Sequence, residues 1–225
     1  MSTPTLLTLD TTTEACSVAL QYGDDVCERF GLMPRGHAQH VLGMADEVLA
    51  EAGIALSAVD AIGFCRGPGA FTGVRIAVGV VQGLAFGADL PVVPVSTLAT
   101  LAQGAIAEQG ADKVLAAVDA RMGEVYSAAY CSIDGCASLL GAERVCAPNA
   151  VEVPEGAGWL GVGTGWGAYD ALLRKHCGDT VMRTVPDVYP RARHILPLAT
   201  RAHAAGDAVA AADALPVYLR DRVTG

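Results

Sequence analysis

Apolar and polar residues alternate along the first part of the chain in a pattern that predicts three short strands and then a helix. The strands are predicted at residues 5–10, 15–22 and 26–32, with polar turns between them. Over residues 37–52 the apolar positions recur every three or four residues, which is the spacing of one helix face. The chain is therefore expected to begin with an antiparallel meander that leads into a helix.

Beyond residue 60, strands and helices are predicted to alternate. The first half continues with strands at 61–65 and 91–95 and helices at 72–87 and 97–108. The second half restarts with a hairpin at Lys113, and we expect a strand at 159–163, helices at about 167–176 and 194–205, and an irregular excursion at 140–158. Three antiparallel strands followed by alternating helices and strands is a ribonuclease-H-like order within an α/β fold.

The second hairpin repeats the first. An apolar strand ends in Asp10, a short turn follows, and a second strand returns; the same sequence of features recurs around Asp119, 109 positions later. This echo predicts a duplicated β-unit, with both carboxylates facing one cleft between lobes at residues 1–106 and 107–225. Such a two-lobed arrangement is the ASKHA (actin, sugar kinase and Hsp70-like) architecture. The alternative is that each Asp only caps its own turn.

Composition narrows the classes of function. Hydrophobic residues make up 52% of the chain and charged residues 17%, so we expect a buried protein–protein surface in addition to the core. The net charge of -9 disfavours unaided binding to nucleic acid, which requires Lys and Arg at the phosphates. Seven scattered cysteines without CxxC spacing indicate a reducing compartment, and we expect a cytoplasmic protein. The uncharged run 76–88 is shorter than a membrane span of about 20 residues.

The segment 67–75, which reads GPGAFTGVR, joins a predicted strand to a predicted helix. Glycines at such a junction let backbone amides approach a ligand, and the start of a helix favours negative charge. A tight turn that binds nothing is the alternative reading. Two histidines, His37 and His40, lie three apart at a helix start, but no third metal ligand accompanies them, so we expect no metal site.

The helix predicted after this loop is apolar on almost every side, which is typical of a helix that is buried all round. Gly79, Gly83 and Gly87 recur every four residues and therefore share one face, where another helix can approach closely. The contact is expected either within the chain, against the helix at 37–52, or with a partner. We take both helices as a candidate interface, with candidate contacts at Arg35, His37, Val41, Met44, Val48, Val74, Val78, Gly79, Val81 and Gly83.

Five segments together carry a resemblance that covers most of the chain. They are residues 10–19, 67–75, 119–126, 162–166 and 216–220, which read DTTTEACSVA, GPGAFTGVR, DARMGEVY, VGTGW and PVYLR. In these motifs the chain resembles the bacterial TsaB (YeaZ) family. The resemblance implies the ASKHA fold and a role in making threonylcarbamoyladenosine in tRNA, as a non-catalytic subunit that binds and activates TsaD. It also implies the TsaE ATPase as a further partner, a homodimer when TsaD is absent, and contact with tRNA only through the complex.

The chain lacks one motif of its TsaD-type relatives, and this difference bears on catalysis. Relatives of the TsaD type carry a His-x-x-x-His pair that holds the catalytic metal, and the matching positions here are Thr97 and Leu101. Leucine cannot bind a metal and threonine is a poor ligand, so we expect no catalytic residues and no metal. The alternative function is a self-sufficient ATP-dependent phosphotransferase or metallopeptidase of the same fold.

Any nucleotide contact is expected to be weak without TsaD. We expect no tightly bound cofactor, with ATP or ADP at most at the interface with TsaD. The candidate contacts are Asp10, Thr11, Thr12, Gly67, Pro68, Gly69, Asp119, Gly163 and Gly165.

Overall fold

The computed structural model describes residues 3–220, which fall into two compact units. Unit 1 contains the described residues up to Thr100 together with Pro190–Val217, and unit 2 contains Leu101–Tyr189 and the described residues after Val217. The predicted lobes at 1–106 and 107–225 place residues 190–217 differently, because this part of the chain returns to the first unit. Residues 1–2 and 221–225, which those lobes include, lie outside the described residues.

Unit 1 is a five-stranded mixed sheet with helices. Its elements are β1 (Leu6–Asp10), β2 (Ala15–Tyr22), β3 (Asp25–Leu32), α1 (His37–Ala52), β4 (Ala61–Cys65), α2 (Phe71–Ala88), β5 (Val92–Val95) and, after unit 2, α6 (Ala192–Ala205). The strand order is β3-β2-β1-β4-β5. The first three strands are antiparallel, while β1, β4 and β5 are parallel. Short helical turns lie at Leu56–Ala58, between α1 and β4, and at Ala211–Asp213, after α6.

Unit 2 contains a second sheet with the same pattern. Its elements are β6 (Lys113–Asp119), β7 (Val125–Ile133), β8 (Cys136–Cys146), β9 (Trp159–Gly163), α4 (Thr164–Ala168), α5 (Asp170–Cys177) and β10 (Val181–Pro186), after the helix α3 (Thr97–Gln109) that begins in unit 1. The order is β8-β7-β6-β9-β10, with β6, β7 and β8 antiparallel and β6, β9 and β10 parallel. Asp10 and Asp119 end the first strand of their respective sheets, as expected.

Apart from ends that differ by one or two residues, the predicted elements and the observed ones differ in three places. Strand β8 extends to Cys146, into the segment predicted to be irregular, and its pairing with β7 shifts in register between Ser127 and Ala129. Strand β10 was not predicted. In place of the single helix predicted at 167–176 there are two helices, because the backbone of Tyr169 is not helical and separates α4 from α5.

Helix α6 is held to unit 1 by side chains from two strands rather than by its own capping residue. Ser17 Oγ accepts a hydrogen bond from Ala192 N at 2.9 Å, and Glu28 Oε1 accepts one from Arg193 N at 3.1 Å. Glu28 Oε2 also binds the Arg191 guanidinium, at 2.5 Å from Nη2. These acceptors satisfy backbone amides that a helix leaves unpaired at its start.

Helix α2 is long and apolar enough to cross a membrane by length and composition alone. It begins at Phe71, so it is longer than the uncharged run 76–88 on which the sequence expectation was based. One side of α2, which includes Val74, Ala77 and Val81, is buried in the core of unit 1. That core also contains strand residues such as Leu9 and Phe64.

Candidate functional sites

The first candidate site is the buried carboxyl group of Asp10. Its Oδ1 atom accepts hydrogen bonds from Thr12 N at 3.1 Å and from Thr12 Oγ1 at 2.6 Å. Its Oδ2 atom has no partner that meets hydrogen-bond geometry among the described residues, although the Cys65 thiol lies beside the carboxyl group and lowers its pKa. Burial raises the pKa of Asp10 to about 6, although both hydrogen bonds from Thr12 act in the opposite direction. The carboxyl group is fully buried, so a ligand from solvent does not reach it in this structure.

The glycine-rich loop packs against the turn that follows Asp10. Ala70 N, at the start of α2, donates to Thr12 O at 2.8 Å, and Thr11 Oγ1 donates to Gly73 O at 2.7 Å. A Cβ atom on Gly69 would lie 2.3 Å from Thr12 O, and one on Gly73 would lie 2.1 Å from Thr11 O. The carbonyl of Thr12 therefore occupies the position at the helix start where a phosphate oxygen would bind.

The other predicted nucleotide contacts are also used inside the fold. Gly67 and Pro68 are buried, and a Cβ atom on Gly67 would lie 2.8 Å from Val217 O. Gly163 and Gly165 are buried in unit 2, where a Cβ atom on either residue would lie within 3.0 Å of Ala117. Gly163 and Gly165 permit close packing of α4 on β6.

The two positions that match the metal-binding histidines of TsaD-type relatives have packing roles. Thr97 is fully buried; its N donates to Gly67 O at 3.0 Å, and its Oγ1 donates to Thr12 Oγ1 at 3.1 Å. Leu101 is buried, and its Cδ1 atom lies 3.3 Å from where a Cβ atom on Gly163 would be. Among residues 3–220, no three His, Cys, Asp or Glu side chains are grouped so that they could hold a metal ion.

Asp119 lies in a polar cluster of unit 2. Its Oδ1 atom accepts hydrogen bonds from Arg121 N at 2.8 Å and from the Tyr169 hydroxyl at 3.2 Å, while Oδ2 accepts one from Arg121 Nη1 at 2.9 Å. Its backbone N donates to Thr164 Oγ1 at 3.1 Å. Desolvation raises the pKa of Tyr169, and the negative charge of Asp119 adds to this effect. The Asp119 carboxylate thus has its partners within unit 2, like the Asp10 turn in unit 1.

The candidate partner face requires a correction. Five valines that were predicted to lie on it are buried in unit 1. Val41, Val48, Val78 and Val81 belong to the core cluster that contains the sheet residues, and Val74 is buried beside Gly67. An apolar helix surface that is already covered by its own sheet is not available to a second protein. Any contact that α1 and α2 make with a partner must therefore use the opposite sides of these helices.

Two further candidates on α1 also point into the fold. His37 is buried, and its Nε2 atom lies 3.2 Å from Ala15 O, so it does not form a polar rim. Met44 is half-buried, and its Sδ atom lies 3.8 Å from Cys16 Sγ. Arg35, in contrast, is exposed as a rim residue would be.

The side of α2 that faces away from the sheet carries glycines and an exposed phenylalanine. We call Gly79, Gly83, Phe86 and Gly87 the glycine face, because their spacing places them on one side of the helix. A Cβ atom on any of the three glycines would meet nothing within 4 Å, and Phe86 is 86% exposed. On the neighbouring helix α1, Leu42 is 47% exposed. No contact within the described part of the chain requires glycine at these helical positions, where each glycine costs about 1 kcal/mol relative to alanine.

Phe86 and Leu42 were not among the sequence candidates, although the pattern contained the signal. Phe86 follows Gly79 by seven residues, which is two helical turns, so both lie on the same face. Val74, Val78 and Val81 recur at helical spacing on the other side. Because valine and glycine are both uncharged, the two faces of α2 have no polar contrast by which to orient the helix.

Comparison with known proteins gives consistent matches along the chain. The family model described as TsaD, tRNA N6-adenosine threonylcarbamoyltransferase, matches residues 26–224. A protein of Escherichia coli named tRNA threonylcarbamoyladenosine biosynthesis protein TsaB is 45% identical over 222 residues, which are 97% of this chain and 95% of that protein. A Haemophilus influenzae protein of the same name is 42% identical over 235 residues, covering 100% of this chain and 97% of that protein.

Solved structures agree with these relatives. The structure described as YeaZ from Pseudomonas aeruginosa superimposes with a TM-score of 0.91 at 52% identity, and the match covers 97% of this chain and 100% of that chain. A second structure has the same TM-score and identity, and is described as an uncharacterized protein from Pseudomonas aeruginosa with similarity to peptidase YEAZ.

Proposed function

We propose that this chain, which belongs to the TsaB family and matches the TsaD family model, acts in the synthesis of threonylcarbamoyladenosine in tRNA. Its role in this proposal is that of a non-catalytic subunit that binds and activates TsaD. TsaD then transfers the threonylcarbamoyl group to the adenosine beside the anticodon. The two relatives named for this biosynthesis match over almost their whole lengths, which supports the assignment at the level of the process.

The glycine face is the observation that carries the subunit role. Three glycines on the exposed side of α2 weaken that helix, and no group among residues 3–220 would clash with a Cβ atom at these positions. A helix of a partner that packs on this face would come close to the α2 backbone only if these side chains are absent. We therefore place TsaD on the glycine face of α2 and on Leu42 of α1.

The non-catalytic part of the proposal rests on Thr97 and Leu101. Both side chains are buried, and neither is a useful metal ligand at the positions that match the histidine pair of TsaD-type relatives. Leu101 packs beside Gly163, so a histidine there would have to be accommodated within the core of unit 2. The alternative of a metallopeptidase would need a group of metal ligands, and residues 3–220 contain no group of three His, Cys, Asp or Glu side chains that could hold a metal ion.

We infer that the two units are duplicated ribonuclease-H-like lobes of the ASKHA fold. The identical strand order and directions in the two sheets support this inference, as does the aspartate at the end of the first strand of each. The candidate nucleotide contacts include the turns that contain those aspartates. Here both turns are engaged within their own units, so we propose only weak contact with ATP or ADP, at the interface with TsaD.

The remaining parts of the proposal concern assembly and location. Without TsaD, the glycine face would pair with the same face of a second copy, which gives a symmetric homodimer. TsaE would join the complex, and tRNA would be bound only through it, in keeping with the net charge of -9. We place the protein in the cytoplasm, where its scattered cysteines would stay reduced.

The test adds one negative charge to the glycine face. Gly83→Glu should leave the fold intact, since the position is exposed and glutamate is a better helix former than glycine. It should abolish both the homodimer and the capture of TsaD from the same organism, because the new carboxylate would be buried without a partner. Size-exclusion chromatography with light scattering and a pull-down of purified TsaD measure these two outcomes.

Ser57→Glu is the matched control, because Ser57 is an exposed residue of unit 1 outside α1 and α2. It adds the same charge and should leave both associations unchanged. If Gly83→Glu is folded and still binds TsaD with unchanged affinity, the glycine face is not the contact and the proposal for this surface fails.

A further inference from the structure

Unit 2 contains a cavity of about 220 Å³. It is lined by β7, by β8 and by residues of the segment 147–158, which follows β8. None of the candidate site residues described above lines this cavity. Its volume is below the roughly 300–1,000 Å³ that is typical of sites for drug-sized ligands, so it suits a small metabolite.

The cavity lies where the pairing of β7 with β8 is interrupted. Ser127 pairs with Arg144 and Ala129 pairs with Leu140, which leaves residues 141–143 of β8 opposite a single residue of β7. The first of these three is a glycine with a φ of 75°. Bulges of this kind are frequent beside functional sites, because they redirect side chains. All four paired residues line the cavity.

The segment 147–158 forms a wall of the cavity and is fixed in place by side chains from the rest of unit 2. Trp159 Nε1 donates to Glu155 O at 3.2 Å, and His176 Nε2 lies 2.8 Å from Val151 O. A ligand therefore meets a wall that is already ordered, which lowers the entropic cost of binding.

Charged side chains of both signs lie beside apolar ones in the lining. Arg144 Nε is 3.2 Å from Glu152 Oε2, and Glu155 provides a second carboxylate. The contact with Glu152 is made by Nε, whereas the planar guanidinium also has Nη donors, which suit the carboxylate of a ligand. The apolar surface next to these groups includes Leu140 and Pro154.

The other polar side chains in the lining are uncharged. They are the buried hydroxyl of Ser127 and the thiol of Cys146. Burial raises the pKa of Cys146, and the charge of Glu124 adds to this effect, so the thiol stays protonated. Arg144 acts on this thiol in the opposite direction, which indicates that its positive charge is felt inside the cavity. With two carboxylates and one guanidinium, the lining disfavours a phosphate and favours a ligand that carries an ammonium group.

We propose that this cavity binds a free α-amino acid with a small apolar side chain. The carboxylate of the ligand would lie on Arg144, its ammonium group on Glu152 and Glu155, and its side chain on the apolar lining. Such a zwitterion complements both signs of charge, whereas a simple amine or a simple carboxylate complements only one. The site lies within unit 2 and does not depend on the proposed role with TsaD.

The experiment titrates the full chain with L-alanine, L-valine and L-leucine in a calorimeter, and tryptophan fluorescence is a second measurement because Trp159 is bonded to the wall. At least one of the three should bind saturably, with one site per chain. The analogues of L-valine without the carboxylate (valinol) or without the ammonium group (isovalerate) should bind at least tenfold more weakly than L-valine.

Two variants test the position of the ligand. Arg144→Gln removes the guanidinium at an exposed residue and should weaken binding at least tenfold. Ala129→Val adds two methyl groups at the cavity and should also weaken binding at least tenfold, while the midpoint of thermal unfolding stays at or above that of the wild type. Arg183→Gln, at an exposed arginine of unit 2 that does not line the cavity, is the matched control and should bind as the wild type does.

Several results would overturn the proposal. One is the absence of saturable binding for all three amino acids up to about 10 mM, a range that reveals even millimolar dissociation constants. Another is equal affinity for valinol or isovalerate, which would mean that the cavity does not recognise the zwitterion. Wild-type affinity in folded Arg144→Gln would place the ligand elsewhere, and this variant decides the question even if Ala129→Val does not fold.

Discussion

Two glycines of α2 should respond oppositely to the same substitution. Gly73 lies in the first turn of the helix, where a Cβ atom would be 2.1 Å from Thr11 O, while a Cβ atom on Gly79 would meet nothing within 4 Å. Alanine is about 1 kcal/mol more favourable than glycine in a helix interior. Gly79→Ala should therefore raise the free energy of unfolding by about 1 kcal/mol.

Gly73→Ala should lower the free energy of unfolding. The new methyl group would force the Thr11–Thr12 turn away from α2, and overpacking of this kind costs about 1–3 kcal/mol. The movement also strains the hydrogen bonds from Thr11 Oγ1 to Gly73 O and from Ala70 N to Thr12 O, at about 1 kcal/mol each. We expect a net loss of roughly 2–4 kcal/mol, so that the two variants differ by about 3 kcal/mol or more.

Urea unfolding followed by far-ultraviolet circular dichroism is the suitable assay. Both tryptophans of the chain, Trp159 and Trp166, lie in unit 2, so their fluorescence does not report directly on unit 1. Titration with TsaD completes the measurement, since Gly79→Ala should bind TsaD more weakly than the wild type although it is more stable. If Gly79→Ala loses as much stability as Gly73→Ala does, the glycine face is packed within the chain and the reasoning is refuted.

Three further predictions concern the stability effects of Asp10, Glu28 and Gly161. Burial raises the pKa of Asp10 from 3.8 to about 6, so the folded state keeps a proton that the unfolded chain loses. Stability should therefore fall by roughly 3 kcal/mol as the pH rises through that window, and Asp10→Asn should remove this dependence in urea titrations. Glu28→Gln should cost about 2–3 kcal/mol in urea unfolding, because it weakens charged hydrogen bonds to Arg191 and the start of α6. Gly161→Ala should destabilise unit 2 and alter its fluorescence, because its Cβ would lie 2.5 Å from the Trp166 ring.

Each of these three predictions would be contradicted by a specific result. A difference between wild type and Asp10→Asn that stays constant from pH 4 to 7 would mean that Asp10 does not titrate there. Glu47 pairs with Arg29 and its side chain is 61% exposed, so Glu47→Gln should cost less than about 1 kcal/mol. An equal loss in Glu28→Gln and Glu47→Gln would contradict the role of Glu28. Normal stability in Gly161→Ala would show that the Trp166 ring has room to move.

Most elements of the fold could be predicted from apolar periodicity. Helix α1 has the predicted bounds, and so have β2, β4 and β9. Strand β8 was harder to recognise because its register shift, with Gly141 at a φ of 75°, breaks the two-residue period on which strand prediction depends. The docking of α6 on unit 1 depends on Ser17 and Glu28, more than 160 residues before the helix, and local patterning contains no signal of such a pairing.

The candidate site was predicted only in part, for a physical reason. Helical spacing showed that α2 has a glycine side and a valine side, but the sequence does not say which side the sheet covers. Buried Val78 and exposed Gly79 are neighbours in sequence and differ by a quarter to a third of a helical turn. The orientation of α2 relative to the sheet, which is set by β4 and the loop after it, decides which side is buried. This orientation is visible only in the three-dimensional structure.

The same residue type thus has two opposite uses within one stretch of chain. Gly69 and Gly73 are required by the fold, since any side chain there would collide with the Thr11–Thr12 backbone. That backbone packs against the start of α2, at a strand-to-helix junction that otherwise resembles a phosphate-binding site. Gly79 and Gly83 are not required by the fold of the single chain, which would be more stable with alanine at both positions. A residue that weakens its own helix without any internal need is best explained by a contact outside the chain. For this reason the open glycines, and not the glycine-rich loop before them, mark the surface at which the protein is expected to act.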